Sequence, residues 1–156
     1  MDQPCLEFVT ELRVRVAAPL EIGQLAEGER RIIEIVGGDF TGPVLRGTIK
    51  PGGADWQLIR SDNVAELDAR YTLLTDTGVT IYVANRGIRY AEPAVMARLV
   101  KGELVDASEY YFFSTPSFET DAPDLQWLRQ SIFVGKGIRL PDMVVIQVWR
   151  VCKESN

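Results

Sequence analysis

The chain has 156 residues, of which 46% are hydrophobic, and a formal net charge of −5. This length suits one domain whose core is large enough to fold unaided, so we expect residues 1–156 to form a single domain. The acidic balance argues against nucleic acid as a partner, because phosphate binding needs a basic surface. No run of about 18 apolar residues occurs, so we expect no membrane partner.

Histidine is absent from the sequence, and this excludes several kinds of site. Ser-His-Asp and Cys-His catalysis and His-ligated metals all need an imidazole. The two cysteines, Cys5 and Cys152, cannot form a structural zinc site by themselves, so we expect no metal. The N-terminus MDQPCLEFVTEL lacks the features of a secretory signal. We therefore expect a cytoplasmic protein with reduced thiols, although paired terminal strands would bring the two cysteines together.

Short strands separated by glycine and proline turns are predicted for the first part of the chain. Residues 6–16 alternate between an apolar face that begins at Leu6 and Phe8 and a largely charged face, which is typical of a half-buried strand. Further strands are predicted at residues 31–36, 44–50 and 55–60.

The segment from residue 37 to residue 57, GGDFTGPVLRGTIKPGGADWQ, is the one around which we expect the fold to be organised. It holds six glycines and two prolines. Glycine is used where the backbone needs positive φ or a close approach, so this density indicates turns, bulges or barrel corners. We interpret GGDFTGP as a loop or bulge, and the whole segment as a corner that delivers polar groups to a barrel mouth.

The second half of the chain predicts a hairpin, two short helices and three more strands. Residues 67–75 and 79–86 flank Asp76-Thr77-Gly78, a three-residue hairpin turn, and residues 87–90 extend the second arm. Proline at the start and glycine at the end favour a helix over 93–101, and residues 124–130 favour another. Strands are predicted at 109–115, 132–134 and 143–152, with GKG at 135–137 as a bend.

Nine or ten short strands with two small helices indicate an all-β fold. We predict a single closed or nearly closed antiparallel β-barrel, because pairing the long first and last strands would remove the exposed edges. A barrel of eight or more strands is wide enough to hold one small ligand.

Four sequence blocks in order also carry a family resemblance: GGDFTGPVLRGTIKPGGADWQ, LDARYTLLTDTG, YFFSTPSFET and WLRQSIFVGKGIR. Together they resemble the uncharacterised family catalogued as domain of unknown function 3237, also named uncharacterised protein family 0311, over residues 36 to 151. The resemblance implies a compact β-barrel of lipocalin-like appearance. Some fungal relatives belong to polyketide-type pathways, and this implies a cofactor-free cyclisation as a hint of function.

Three charged residues are the candidates for catalysis. Asp55 shares a strand face with Gln57, and in an apolar lumen its raised pKa would suit acid–base work; alternatively, Asp55 closes the PGGAD turn. Asp68 and Arg70 also share a face, either as a pair at the barrel mouth or as an ordinary surface ion pair. The face of this strand that points inward cannot be read from the period alone.

Polar and aromatic side chains supply the candidate ligand-binding set. It consists of Trp56, Gln57, Tyr71, Asn85, Phe112, Phe118, Glu119 and Trp127. Each has a plainer interpretation. Asn85 could satisfy a turn, Glu119 could be an exposed loop acid, and the aromatic residues could simply fill the core.

Two functions remain open at this level, with a third, weaker one. The first is an isomerase or cyclase that needs no cofactor and moves a proton on a small, mostly apolar organic molecule. The second is a carrier or sensor that binds such a ligand without chemistry, and the third is a structural partner in a homo-oligomer. Neither GGDFTGP nor PGGAD fits a phosphate-binding glycine motif, so we expect no nucleotide cofactor.

Overall fold

The computed structural model describes residues 2–154, most of which lie in ten β-strands. The strands are β1 (Pro4–Val16), β2 (Leu20–Leu25), β3 (Gly28–Thr41), β4 (Gly47–Ile49), β5 (Gly53–Ile59), β6 (Val64–Thr75), β7 (Thr80–Ala91), β8 (Tyr110–Glu119), β9 (Phe133–Leu140) and β10 (Met143–Lys153). The helix α1 spans Pro93–Val100, and short 3₁₀ helices span Ala107–Glu109 and Pro123–Arg129. No helix within residues 2–154 is long and apolar enough to cross a bilayer.

The strands form one antiparallel sheet that closes into a ring. Its order is β1-β10-β9-β8-β7-β6-β4-β3, and β3 pairs back with β1. Strand β5 occupies the same place in the ring as β4, because each pairs with β3 on one side and β6 on the other. Strand β2 pairs with the first half of β3. This ring of eight strands, somewhat irregular as a barrel, confirms the predicted all-β fold.

Two predicted pairings position the ring. Strands β1 and β10 pair along most of their length, from Pro4 opposite Lys153 to Arg15 opposite Met143. The hairpin of β6 and β7 forms around Asp76-Thr77-Gly78, where the backbone N–H of Gly78 donates to the Thr75 carbonyl at 3.0 Å. Strand β7 continues to Ala91, as the predicted extension requires.

The first strand departs from the uniform alternation predicted for it. Its register against β10 shifts between Phe8 and Thr10, so Val9 and Thr10 are both buried while Leu6 is 54% exposed. A β-bulge adds one residue to one strand, so the alternation of inward and outward side chains is reversed beyond the bulge. Beyond the bulge, Val14 and Val16 point inward, as the alternation predicted.

Several glycines mark close approaches within strands. The predicted GKG bend was wrong, because residues 135–137 lie inside β9. A Cβ on Gly137 would lie 2.5 Å from the ring of Phe112, so the missing side chain makes room for that ring. Gly37 and Gly38 have φ of 145° and 138° and lie in β3, beside a register shift against β1. Of the two alternatives for this segment, the bulge is therefore the one that forms.

The apolar interior consists of two clusters. The larger packs within the ring and includes Leu12, Tyr71, Phe118 and Phe133, while the smaller lies under α1 and includes Leu99. Neither cluster fills the ring completely. Between them the ring remains hollow, because residues of both clusters line a common cavity.

Candidate functional site

A cavity of about 330 Å³ lies inside the ring. Tyr71 and Ile146 of the larger cluster form part of its wall, and Leu99 and Val100 of α1 form another part. This volume falls in the range of small-molecule sites, ~300–1,000 Å³. The hollow barrel expected from the strand pattern therefore has room for a ligand.

The period of the strands determines which polar groups reach the cavity. Alternate residues of a strand face the same side of a sheet. Strand β5 thus contributes Asp55 and Gln57, and strand β7 contributes Asn85 and Arg89. Ala69 of β6 lies between them, opposite Asp55 on one side and opposite Asn85 on the other. Its single methyl group leaves space between the two polar side chains.

The distribution of unpaired polar atoms sets the cavity apart from the rest of the interior. Within residues 2–154, six buried side-chain atoms lack a hydrogen-bond partner, and all six belong to residues that line the cavity. They are Arg31 Nε, Gln57 Oε1, Tyr71 OH, Asn85 Oδ1, Arg89 Nε and Ser114 Oγ. A buried polar atom left unpaired costs about 1–3 kcal/mol. Donors and acceptors are therefore available to a polar molecule in the cavity.

Two acids line the cavity, the exposed Glu21 and the less exposed Asp55, and Asp55 is the candidate for acid–base chemistry. Its Oδ1 accepts the backbone N–H of Asp68 at 2.9 Å, and its Oδ2 accepts Nε2 of Gln57 at 3.5 Å. Burial raises the pKa of Asp55 to about 6, against the opposing effects of the Asp68 N–H and the Arg89 charge. The side chain can therefore accept and return a proton near neutral pH.

Two buried arginines face the same space. Arg31 and Arg89 are each only 4% exposed. The guanidinium carbon of Arg89 lies 5.8 Å from the ring centre of Phe112, within the range of a cation–π interaction. Burial, with a contribution from the positive charge of Arg139, lowers the pKa of Arg89 to about 10. Arg89 thus remains cationic at neutral pH in a site that disfavours its charge.

Five of the residues predicted from the sequence meet at this cavity. They are Asp55, Gln57, Tyr71, Asn85 and Phe112. Burial raises the pKa of the Tyr71 phenol, so this hydroxyl stays protonated and can donate. Their roles in binding or catalysis stay predictions.

Asp68 and Arg70 lie on the outer face, so of the two alternatives the ordinary surface ion pair is the one that forms, and neither side chain reaches the cavity. Their side chains are 33% and 48% exposed, and Nε of Arg70 lies 3.4 Å from Oδ1 of Asp68. Arg86 on the neighbouring strand lies 3.8 Å from the same oxygen. The physical reason is the apolar alternate face of β6, where Ala69 and Tyr71 point inward and force their neighbours outward.

Four predicted ligand-binding residues also lie away from the cavity. Trp56 is 47% exposed, because it alternates with the inward Asp55 and Gln57. Glu119 is exposed at the end of β8. Phe118 is buried in the larger core cluster, and Trp127 packs against that cluster at its edge. Phe118 and Trp127 therefore belong to the core, which was the alternative interpretation of the aromatic residues.

Sequence reasoning missed Arg31, Arg89 and Ser114. A signal for Arg89 was available, because Asn85 and Arg89 continue the face of β7 that begins with the apolar Ile81 and Val83. Extending that alternation past the apolar residues would have placed the arginine inside. Ser114 lies two residues after Phe112 in the predicted strand 109–115, so the same alternation would have placed it on the inward face with Phe112.

Comparison with known proteins gives the chain close relatives. It is 41% identical over 150 residues to a UPF0311 protein of Rhodopseudomonas palustris, covering 95% of this chain and 98% of the relative. A crystal structure of a conserved protein of unknown function from that organism matches with a TM-score of 0.93 at 39% identity, over 96% of this chain and 99% of the other.

Two further solved structures share the fold. A β-barrel-like protein of Acinetobacter baumannii matches with a TM-score of 0.84 at 38% identity, covering 96% of this chain and 97% of the other. An enzyme from Penicillium herquei matches with a TM-score of 0.72 at 19% identity, covering 96% and 95%, so its likeness concerns the fold alone. The family model "Protein of unknown function (DUF3237)" matches residues 4–151, and the chain belongs to that family.

Proposed function

We propose that the barrel binds a small, mostly apolar organic molecule in its cavity and that Asp55 moves a proton on it. The observation that carries this proposal is the confinement of all six unpaired buried polar atoms of residues 2–154 to the cavity wall. A folded protein pairs most of its buried polar groups. Such a concentration is typical of a site that binds the polar groups of a ligand.

Asp55 is suited to act as a base and then as an acid. With a pKa of about 6, most of its carboxyl groups are ionised at pH 7, yet the carboxylate is more basic than that of an ordinary aspartate. The Asp68 N–H and the Gln57 amide hold its two oxygens in place.

The rest of the cavity suits a carbonyl-bearing substrate. Removing a proton from the carbon beside a carbonyl places negative charge on the carbonyl oxygen, and donors that face that oxygen lower the barrier. Tyr71 and Arg89 supply donors on the cavity wall. Asp55 can return the proton to another carbon, which gives an isomerisation. Alternatively, the enolate carbon can add to a second carbonyl group of the same molecule, whose C=O π bond opens to an alkoxide that takes the proton from Asp55, which closes a ring. Neither outcome consumes an oxidant or reductant.

The relatives support this proposal only in outline. The fungal neighbour described as an enzyme indicates that a barrel of this shape can house catalysis. Binding without chemistry would use the same unpaired atoms, so a carrier or sensor remains the alternative.

Isomerisation of 3-cyclohexen-1-one to its conjugated isomer in D₂O tests the proposal, because ultraviolet absorption and deuterium incorporation both report the proton transfer. A panel of larger β,γ-unsaturated ketones extends the test to the size of the cavity. We expect the protein to accelerate the reaction of at least one ketone and Asp55→Asn to slow it by about 10²–10⁴-fold. Asp68→Asn is the matched control, because it keeps the backbone N–H that supports Asp55 and removes only a charge that contributes to the pKa of Asp55; its rate should fall far less than that of Asp55→Asn.

Two outcomes would count against catalysis. Equal rates for wild type and Asp55→Asn would remove Asp55 from the reaction. Ketones that raise the melting temperature but are never deuterated would favour the carrier.

A further inference from the structure

The charge on the cavity wall opposes the charge of the whole protein. The chain carries a net charge of −5. The cationic residues on the wall are Arg31, Arg89, Lys101 and Arg139, and the acidic ones are Glu21 and Asp55. A cavity with excess positive charge inside an acidic protein attracts anions and rejects cations.

Arg31 and Arg89 differ from Arg139 in what they contact. Arg139 donates from its Nη1 to the backbone carbonyl of Glu103 at 2.6 Å and is thus engaged by the protein. Arg31 and Arg89 are almost fully buried, and their Nε atoms have no partner among the described residues. Nε of Arg31 lies 4.0 Å from Oε1 of the exposed Glu21, which is beyond hydrogen-bond distance.

A buried guanidinium whose Nε lacks a hydrogen-bond partner is costly, and its fork of N–H groups matches the two oxygens of a carboxylate. Beside Arg89, the ring of Phe112 offers a flat apolar surface within the same cavity. The wall thus joins an anion-binding group to a surface that suits an unsaturated ring.

We infer that the ligand of this cavity is an organic carboxylate with an unsaturated or aromatic body, whose carboxylate group is bound by Arg31 and Arg89. This inference rests on the proposed function in one respect, namely that the cavity is the ligand site. It leaves Asp55 free to act on the body of the ligand, because Asp55 lies on the wall at the level of Asn85, four residues from Arg89 along β7.

Calorimetric titration with five probes tests the charge preference. Benzoate carries the carboxylate, benzamide is its neutral isostere, and inorganic phosphate is an anion without an apolar body. The pair of 2-naphthoate and 2-naphthamide extends the series for size. We expect the better of the two carboxylates to bind at least tenfold more tightly than its amide and than phosphate. Equal affinity for acid and amide, no binding of either carboxylate, or tighter binding of phosphate would overturn the inference.

Variants locate the preference within the cavity. We expect Arg89→Gln to reduce carboxylate affinity at least tenfold while leaving amide affinity unchanged. Arg86→Gln is the matched control on the same strand, because that side chain is 72% exposed on the outer face, and it should bind as the wild type does. Arg89→Lys keeps the charge without the fork and provides a second variant should the glutamine variant fail to fold; we expect it to lose part of the affinity. A full acid preference in both folded variants would overturn the role of Arg89.

The Asp55→Asn variant separates this inference from the proposed chemistry. If it keeps the preference for carboxylates while deuterium transfer is lost in the ketone assay, both proposals stand. If carboxylates bind but no ketone or keto acid is ever deuterated by the wild type, the ligand class stands and the chemistry falls. If neutral ketones are turned over and carboxylates bind no better than amides, the chemistry stands and the ligand class falls.

Discussion

The backbone N–H of Asp68 donates a 2.9 Å hydrogen bond to Oδ1 of Asp55. This bond runs through the barrel wall, because the side chain of Asp68 is on the outer face while the carboxyl group of Asp55 lines the cavity. It favours the ionised form of Asp55, whereas burial favours the protonated form more strongly. The pKa of about 6 is the balance of these two effects and of smaller contributions from the charges of Arg89 and Asp68.

The first prediction concerns the pH dependence of stability. The pKa of Asp55 is raised from 3.8 to about 6 in the folded protein, so the folded state binds more protons between these values than the unfolded state does. Stability from this group is therefore greatest below about pH 4 and is lost as the pH rises through 6. The loss amounts to about 3 kcal/mol of unfolding free energy.

Asp55→Asn should remove this dependence, because the amide keeps an oxygen for the Asp68 N–H but does not titrate. Urea unfolding of both proteins from pH 4 to pH 8 gives the difference in unfolding free energy directly. We expect the unfolding free energy of the variant to rise relative to that of the wild type as the pH rises. This difference should become constant above pH 7. A difference that stays flat across this range would contradict the raised pKa.

The second prediction concerns Ala69, which lies in register between Asp55 and Asn85. Ala69→Leu should fill the space between these two polar groups. We expect ligand affinity to fall at least tenfold while the unfolding free energy changes by less than about 1.5 kcal/mol, because the added groups enter a hollow rather than a packed core. Calorimetry with benzoate and urea unfolding measure the two effects.

Ala84→Leu is the control for this change, because Ala84 belongs to the opposite face of the neighbouring strand, next to Asn85. It should leave the affinity unaltered. Equal binding by Ala69→Leu and the wild type would show that the ligand does not use this part of the cavity.

The barrel could be predicted from the sequence where one signal dominated. The hairpin at Asp76-Thr77-Gly78 combined strict alternation with a turn that needs glycine, and Gly78 has a φ of 88°. The pairing of β1 with β10 followed from the need to protect two long edges. The turn is a local signal in a few neighbouring residues, and the pairing follows from the pattern of two whole strands. Neither depends on contacts between particular distant side chains.

Other features depended on contacts between distant strands, and sequence could not supply them. The sequence GKG at 135–137 predicted a bend. In the structure Gly137 lies within β9, where its missing side chain leaves room for the ring of Phe112 from β8. Likewise, Asp55 and Asp68 are both aspartates in similar strands, but only Asp55 lines the cavity. Asp68 faces outward because its neighbours Ala69 and Tyr71 point inward. Which face of a strand turns inward depends on how well each face packs against the neighbouring strands. The sequence of one strand alone does not show this.

The third prediction tests the close approach of Gly137 to the ring of Phe112. Gly137→Ala places a methyl group against the ring of Phe112, where an added Cβ would lie 2.5 Å away. We expect a loss of about 1–3 kcal/mol in unfolding free energy, typical of an overpacked core. Lys136→Ala is the control on the same strand, because Lys136 is exposed, and it should change stability by less than about 0.5 kcal/mol. A shift of Phe112 should also weaken benzoate binding, since this ring lies beside Arg89.

The fourth prediction concerns the two thiols. Cys5 and Cys152 lie directly opposite each other in β1 and β10, with sulfur atoms 3.5 Å apart, and both are free. Diamide accepts two hydrogen atoms, so a mild treatment should join the sulfurs and lower the protein mass by about 2 Da. The bond would close a loop that spans almost the whole chain, and the chain-entropy account gives a gain of about 4–5 kcal/mol in unfolding free energy.

Mass spectrometry and urea unfolding before and after diamide treatment check this result, and dithiothreitol should reverse it. Cys5→Ser, which removes one partner, should gain neither the mass change nor the stability. Covalent dimers on a non-reducing gel in place of an internal bond would contradict the paired arrangement of the terminal strands. An internal bond that lowers stability would instead show that the geometry of this strand pair strains the disulfide more than loop closure stabilises it.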